Sequence, residues 1–172
     1  MPLAFVALGA STGDRRAALH FALCELQQLG QVLEVSRAYQ TAPTGGVARQ
    51  PFLNAVARIQ TPLDPPELLR DLHRIEAEAG RDRRRPRWSD RPLDLDLIAY
   101  ADATQPGRWL RLNTPLQLPH PRAHQRDFVL LPLREVLDGH EPLSTPIETL
   151  IAQLKQTSLL SVDEAPLWPI TH

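Results

Sequence analysis

Asp94 and Asp96 stand two residues apart in LDLDLIAY (93–100), and six arginines fall between positions 81 and 91, just ahead of them. In an extended chain alternate side chains point to opposite faces, so the two carboxylates share one face while Leu95 and Leu97 take the other. Their Cα atoms then lie roughly 6.6–7 Å apart, close enough to share cations, and like charges at that range need compensation. Oxygen donors of this kind suit Mg²⁺, which takes one or two carboxylates and completes its octahedron with water and substrate phosphates. Paired ions about 3.5–4 Å apart would fit the two-metal clamp of phosphoryl chemistry. Arginine's planar fork grips phosphate oxygens bidentately, so the arginine loop and the carboxylate pair read together as an anion site facing a cation site. Taken singly, each has a plainer reading: one exposed aspartate, one neutralised by a nearby arginine, and a solvated basic surface.

Regular elements must position these residues. Alternating apolar positions with β-branched or aromatic content predict strands at 3–8, 31–39, 52–60 and 93–100. A helix over 14–29 carries Leu19, Leu23, Leu26 and Leu29 at helical spacing before Gly30. A second opens at Asp64-Pro65-Pro66-Glu67, an aspartate cap, a proline at the first helical position and a glutamate three after the cap, and closes at Gly80. Strand, helix, strand, strand, helix, strand is the βαββαβ order of a ferredoxin-like α+β core. C-terminal additions follow: a short hairpin around 108–112, a helix near 122–133, a late helix over 145–156 and, for 157–172, a loosely held tail. No repeat or linker divides the chain, so residues 1–172 are expected to form one domain.

Composition narrows the partners. At 172 residues with 42% hydrophobic content the chain can bury a sizeable core. Its net charge of -1 provides no global field for nucleic acid, so the arginine cluster is local. The lone Cys24 cannot form an internal disulfide, which fits a reducing cytoplasm. MPLAFVALGA lacks a basic start, is too short to span a bilayer and meets Asp14, Arg15 and Arg16 almost at once, so it reads as a strand and nothing suggests a membrane. GASTGD (9–14) lacks the lysine of a P-loop and does not complete G-x-G-x-x-G, so it reads as a turn. The histidines make no convincing zinc site: Pro121 separates His120 from His124, and cysteine ligands are lacking.

Four ordered motifs carry a resemblance: YQTAPTGG (39–46), PFLNAV (51–56), HRIEAEAGRDRRRPRWSDRPLDLDLI (73–98) and LPHPRAHQRDFVLLPL (118–133). In these stretches the chain resembles the 6-hydroxymethyl-7,8-dihydropterin pyrophosphokinases of folate biosynthesis. The resemblance implies transfer of pyrophosphate from ATP, the co-substrate, to a pterin alcohol with release of AMP. It implies that Asp94 and Asp96 hold two Mg²⁺ ions and that Arg83 and Arg91 act in catalysis. Arg84, Arg87 and Trp88 would belong to a mobile catalytic loop, and Glu76, His120 and Arg126 would serve the nucleotide side. For the pterin it points to Thr41, Pro43, Thr44, Phe52, Asn54 and Phe128. An asparagine offers a donor and an acceptor to a heterocycle's amide edge, and two phenylalanines can sandwich its ring. On their own, Phe52 and Phe128 would default to the core.

The chain departs from the family pattern in several places. Gly9-Ala10-Ser11 stands for Gly-Ser-Asn, Ser89-Asp90 for Gly-Pro, His73 for glutamine and Pro121 for tyrosine. No metal ligand is lost. Two other readings stay in view. A pterin-binding paralogue that is degenerate or altered in specificity would keep the pocket without this transfer. An RNA-binding ferredoxin-like module would need several exposed sheet aromatics, which 5% aromatic content and an acidic pair do not favour. A monomer acting on small molecules is expected.

Overall fold

A computed structural model describes residues 1–86, 89–105 and 107–168. Strand β1 (Leu3–Ala10) leads into α1 (Arg15–Leu29), whose first turn is capped by Asp14 accepting from the Ala17 N–H at 2.9 Å. Helix α2 (Pro65–Glu78) starts on the predicted capping box: Asp64 accepts from Glu67 N (2.8 Å) and Glu67 accepts from Asp64 N (3.0 Å). Gly30 ends α1 for a steric reason, because a Cβ there would stand 2.2 Å from the Gln60 carbonyl oxygen.

The predicted strand at 31–39 is two strands, β2 (Gln31–Val35) and β3 (Ala38–Thr41), both paired antiparallel to β4 (Phe52–Gln60). Ser36 makes the break. Its N–H donates to the Val56 carbonyl (2.9 Å), but its side-chain oxygen accepts the Val56 N–H (3.0 Å) in place of a backbone carbonyl. With β5 (Asp94–Tyr100) the main sheet runs β5-β1-β4-β3, with β2 also on β4.

A fifth strand extends that path where a loose tail was expected. β8 (Leu159–Asp163) pairs antiparallel with β3, Tyr39 opposite Val162, and Leu167 behind it is 4% exposed. Edge pairing, together with Arg16 donating to Asp163 (2.6 Å) and to the Pro166 carbonyl (2.6 Å), holds the segment down. The expected hairpin at 108–112 also shifts. The small ladder is β6 (Leu112–Asn113) with β7 (Gln117–Leu118) around the Pro115 bend, and Trp109 bridges Ala101 instead. The helix expected near 122–133 is a 3₁₀ turn at Ala123–Gln125 followed by α3 (Asp127–Glu135), with Arg126 extended between them. The late helix is shorter than expected, α4 (Ile147–Ala152).

Two apolar layers enclose the sheet. Leu19, Leu23 and Leu26 of α1 and Leu68, Leu72 and Ile75 of α2 pack with Val6, Leu8, Leu95 and Leu97 on one face. Leu130 and Leu133 of α3 and Ile147 and Leu150 of α4 pack with Phe5, Val56 and Ile98 on the other. Leu95 and Leu97 therefore face the first layer, as the alternation predicts, and Asp94 and Asp96 turn toward the side of α3.

Candidate active site

Sheet register assembles the site. Gly9 on β1 pairs laterally with Asp94 on β5 and with Asn54 on β4, and Asn54 in turn pairs with Tyr39 on β3. At strand spacing this puts the carboxylate end and the asparagine end about 10 Å apart across one glycine. A Cβ on Gly9 would stand 2.9 Å from Asn54 Oδ1 and 3.8 Å from Phe52, so only glycine leaves that amide its room. Of the stretch that read as a turn, residues 12–14 do bend, while Gly9, still on β1, and Thr12 line the site. The site is a cavity of about 840 Å³, within the range of small-molecule sites.

One end of the cavity is built from buried neutral bonds. Asn54 (6% exposed) donates through Nδ2 to Thr41 Oγ1 (2.7 Å), and Thr41 is 2% exposed. Phe52 and Phe128 line the same cavity. The Arg126 guanidinium lies 5.5 Å from the centre of the Phe128 ring, within cation–π reach. Asp127, between them at the start of α3, accepts from Thr157 Oγ1 (3.1 Å), Ser158 Oγ (2.7 Å) and the Ser158 N–H, while the Ser158 carbonyl accepts the Ala42 N–H (2.7 Å). These bonds tie α3, the segment before β8 and the end of β3 into one wall.

Charge governs the other end. Asp94 pairs with Arg81 (2.5 Å) and Arg91 (3.3 Å), and Asp96 with Arg126 (3.6 Å), the compensation that two neighbouring carboxylates require. Burial, with the charge of Asp94, still pushes the Asp96 carboxyl up to about 6. Glu76, on the apolar stripe of α2 and 1% exposed, takes Arg81 and Arg83 from the loop above and accepts the Leu95 N–H (2.8 Å) from β5. Burial pushes its carboxyl up to about 7, against the pull of the Leu95 N–H and of the arginines.

His120 hangs beside β5 by its N–H on the Ile98 carbonyl (2.8 Å), and its Nδ1 accepts the Arg122 N–H (3.2 Å). Burial first, then Arg126, lowers its pKa to about 4. It is therefore neutral near pH 7, with its proton on Nε2 as a hydrogen-bond donor.

A sequence model of the 7,8-dihydro-6-hydroxymethylpterin-pyrophosphokinase (HPPK) family matches residues 5–138. The chain belongs to the HPPK family. It is 37% identical over 146 residues to the 2-amino-4-hydroxy-6-hydroxymethyldihydropteridine pyrophosphokinase of Porphyromonas gingivalis, covering 83% of this chain and 95% of the relative. To the enzyme of the same name in Haemophilus influenzae it is 36% identical over 166 residues, covering 95% and 99%. A crystal structure of HPPK-DHPS in complex with substrates superposes with a TM-score of 0.65 at 13% identity, over 88% of this chain and 43% of the longer one. At that identity the likeness speaks for the fold alone.

In this HPPK chain the cavity wall collects most of the predicted residues: Arg83, Arg91, Asp94, Asp96, His120 and Arg126 at the charged end, and Thr41, Thr44, Phe52, Asn54 and Phe128 at the other. Three predicted residues are not in that wall. Glu76 lies beneath it as the buried acceptor of Arg81 and Arg83. Arg84 is 92% exposed at its side chain and bonds Asp82, and Pro43 is half-buried outside the wall. Arg87 and Trp88 lie outside the described residues. Sequence reasoning missed Gly9, whose role depends on a partner 45 residues away in register, and Arg81, hidden in a crowd of like residues. The spacing from Glu76 to Arg81 and Arg83, five and seven residues across a helix end, was the one available signal for the latter.

Proposed function

We propose that this chain transfers pyrophosphate from ATP to 6-hydroxymethyl-7,8-dihydropterin, releasing AMP, as a cytoplasmic monomer on a ferredoxin-like frame of β1, α1, β2–β3, β4, α2 and β5. One observation carries the reading: a single cavity is lined by the paired carboxylates and an arginine loop at one end and by the buried Asn54–Thr41 pair with Phe52 and Phe128 at the other. Among the described residues no helix is long and apolar enough to cross a membrane.

The donor set fits Mg²⁺. Asp94 and Asp96 open onto the cavity as hard oxygen donors, and no third acidic or histidine ligand joins them among the described residues. Water and phosphate oxygens would fill the remaining positions. Two Mg²⁺ ions held there would polarise the phosphoryl oxygens and lower the pKa of the pterin hydroxyl.

The chain's own residues do the rest. Asn54, oriented by Thr41, reads the amide edge of the pterin, and the two phenylalanines hold its plane. The hydroxymethyl oxygen attacks the β-phosphorus in line, its proton passing to water, as the bond from that phosphorus to the α–β bridging oxygen breaks, and AMP carries off that oxygen. Arg83 and Arg91 stabilise charge on the phosphoryl oxygens, and Arg126 and the neutral His120 donate to the polyphosphate.

Incubation with Mg-ATP and the pterin, followed by ³¹P NMR, is expected to give AMP and pterin diphosphate in equal amounts. Release of ADP would overturn the reading. Pterin binding without AMP would leave the degenerate binding paralogue.

A further inference from the structure

The arginine loop and loop 42–51 both line the cavity, and one side chain joins them. Asp90 Oδ1 accepts the N–H groups of Arg49 (3.1 Å) and Gln50 (3.1 Å), and Oδ2 accepts the Arg49 N–H at 3.3 Å. Among the described residues these are the only hydrogen bonds that tie residues 43–50 to another segment. The loop needs such a tie. Gly45 and Gly46 both hold positive φ, at 81° and 71°, so its turn is built from the two most pliable residues available.

The stem of the arginine loop is fixed separately. Ser11, 4% exposed at the end of β1, donates its N–H to the Arg91 carbonyl and accepts the Arg91 N–H on Oγ, both at 2.9 Å. Its hydroxyl also reaches Asp90 at 3.5 Å, so two positions at which the chain departs from its family's pattern meet in space. Ser11 seats Arg91 whatever stands at 90. The Asp90 carboxylate reaches onward to the other loop.

We propose that Asp90 is a positioning residue that couples the two loops. Ordering the arginine loop over a nucleotide polyphosphate then orders loop 42–51 over the heterocycle as well. The inference rests on the proposed substrates. It makes the stretch bearing Thr44 and leading into Phe52 respond to the phosphate end through two backbone N–H bonds to a carboxylate, the charge-assisted kind. Affinity for one substrate should then depend on the other through Asp90, a coupling between two binding events.

Asp90→Ala removes the acceptor, and Asp90→Asn keeps one amide oxygen for the same N–H groups. Two measurements on each full-length variant test the coupling. The first is hydrogen exchange at residues 44–50, with and without Mg²⁺ and a non-hydrolysable ATP analogue. The second is the calorimetric ratio of pterin affinities with and without that analogue. In the wild type the analogue is expected to slow exchange at both 82–92 and 44–50. In Asp90→Ala it should slow 82–92 alone, with free-state exchange at 44–50 faster by about tenfold and the affinity ratio smaller by about fivefold. Asp90→Asn should recover most of both. A merely structural role would speed exchange but leave the ratio unchanged, and an unchanged ratio in Asp90→Ala overturns the proposal. AMP formation by the wild type reports separately on the proposed function. If it is absent while the analogue still protects both loops through Asp90, the substrate reading fails and the coupling stands.

Discussion

The two ends of the cavity are built from different forces. At the heterocycle end, Asn54 and Thr41 are buried and bonded at 2.7 Å, and the Asp127 carboxylate stitches α3 to the segment before β8, so nothing must break before a flat ring enters. At the phosphate end the candidate arginines and acids among the described residues each have a partner of opposite charge. Arg81 and Arg91 hold Asp94, Arg126 holds Asp96, and Arg81 and Arg83 share Glu76. On the proposed function these pairs stand in for the ligands to come. Phosphate oxygens would take over the arginines and cations the carboxylates, an exchange of partners rather than a creation of charge in a low-dielectric site. One end is preformed, and the other is held in a compensated resting state.

Removing a carboxylate should break the charged end most severely. Asp94→Ala and Asp96→Ala are each expected to lower AMP formation by about 10³-fold or more while the thermal midpoint moves little, because each side chain faces the cavity and not the core. Near wild-type turnover in either would remove the metal role from that residue.

A change at the preformed end should be smaller and confined to the heterocycle. Asn54→Ala is expected to weaken pterin binding by about 10–100-fold and to leave the ATP analogue unaffected. Gly9→Ala makes the sharper version of the test. Its methyl would sit 2.9 Å from Asn54 Oδ1, so it should reproduce the pterin defect with Asn54 still present. Calorimetric titration of each ligand alone separates the two ends, and equal losses for pterin and nucleotide would show that Asn54 is not confined to the heterocycle.

The arginines should report on the transition state. Arg83→Ala and Arg91→Ala are expected to lower kcat by about 10–100-fold and to raise the KM for ATP much less, since in the resting state these side chains are occupied by Glu76 and Asp94. Steady-state kinetics decide, and a rise in KM at constant kcat would make them ground-state binders.

Local signals were legible in the sequence, and long-range pairing was not. The capping box of α2, the alternation that turns Asp94 and Asp96 together and the extent of β4 each depend on residues within a few positions of one another. Motif spacing also brought most of the site residues to one cavity. What escaped depends on distant partners. The split of β2 from β3 arises because the Ser36 hydroxyl replaces a carbonyl opposite Val56, 20 residues away. The short apolar run LLSVD became β8 because β3 leaves it an open edge, and no feature of that run announces the edge. In the arginine loop, expected to be a mobile lid, the contacts of the stem with Ser11 and of the first arginines with Glu76 were likewise beyond local signals.

The smallest expected effect concerns that last contact and carries a definite sign. Glu76 is buried under the loop, and its carboxyl is raised to about 7 mainly by burial. A carboxyl whose folded pKa lies above its unfolded value contributes stability that is fully present below the unfolded pKa and is lost as pH rises through the folded one. Glu76→Gln keeps an acceptor for the Leu95 N–H but cannot ionise. The wild type should therefore lose stability relative to Glu76→Gln between about pH 4 and pH 7, by at most about 3 kcal/mol, with the difference level above that. Denaturant unfolding of both proteins across that range measures the difference. A difference that stays flat with pH would mean that Arg81 and Arg83 keep Glu76 ionised throughout. The resting latch would then be a permanent ion pair that any polyphosphate must break, and the two ends of the cavity would differ more sharply still.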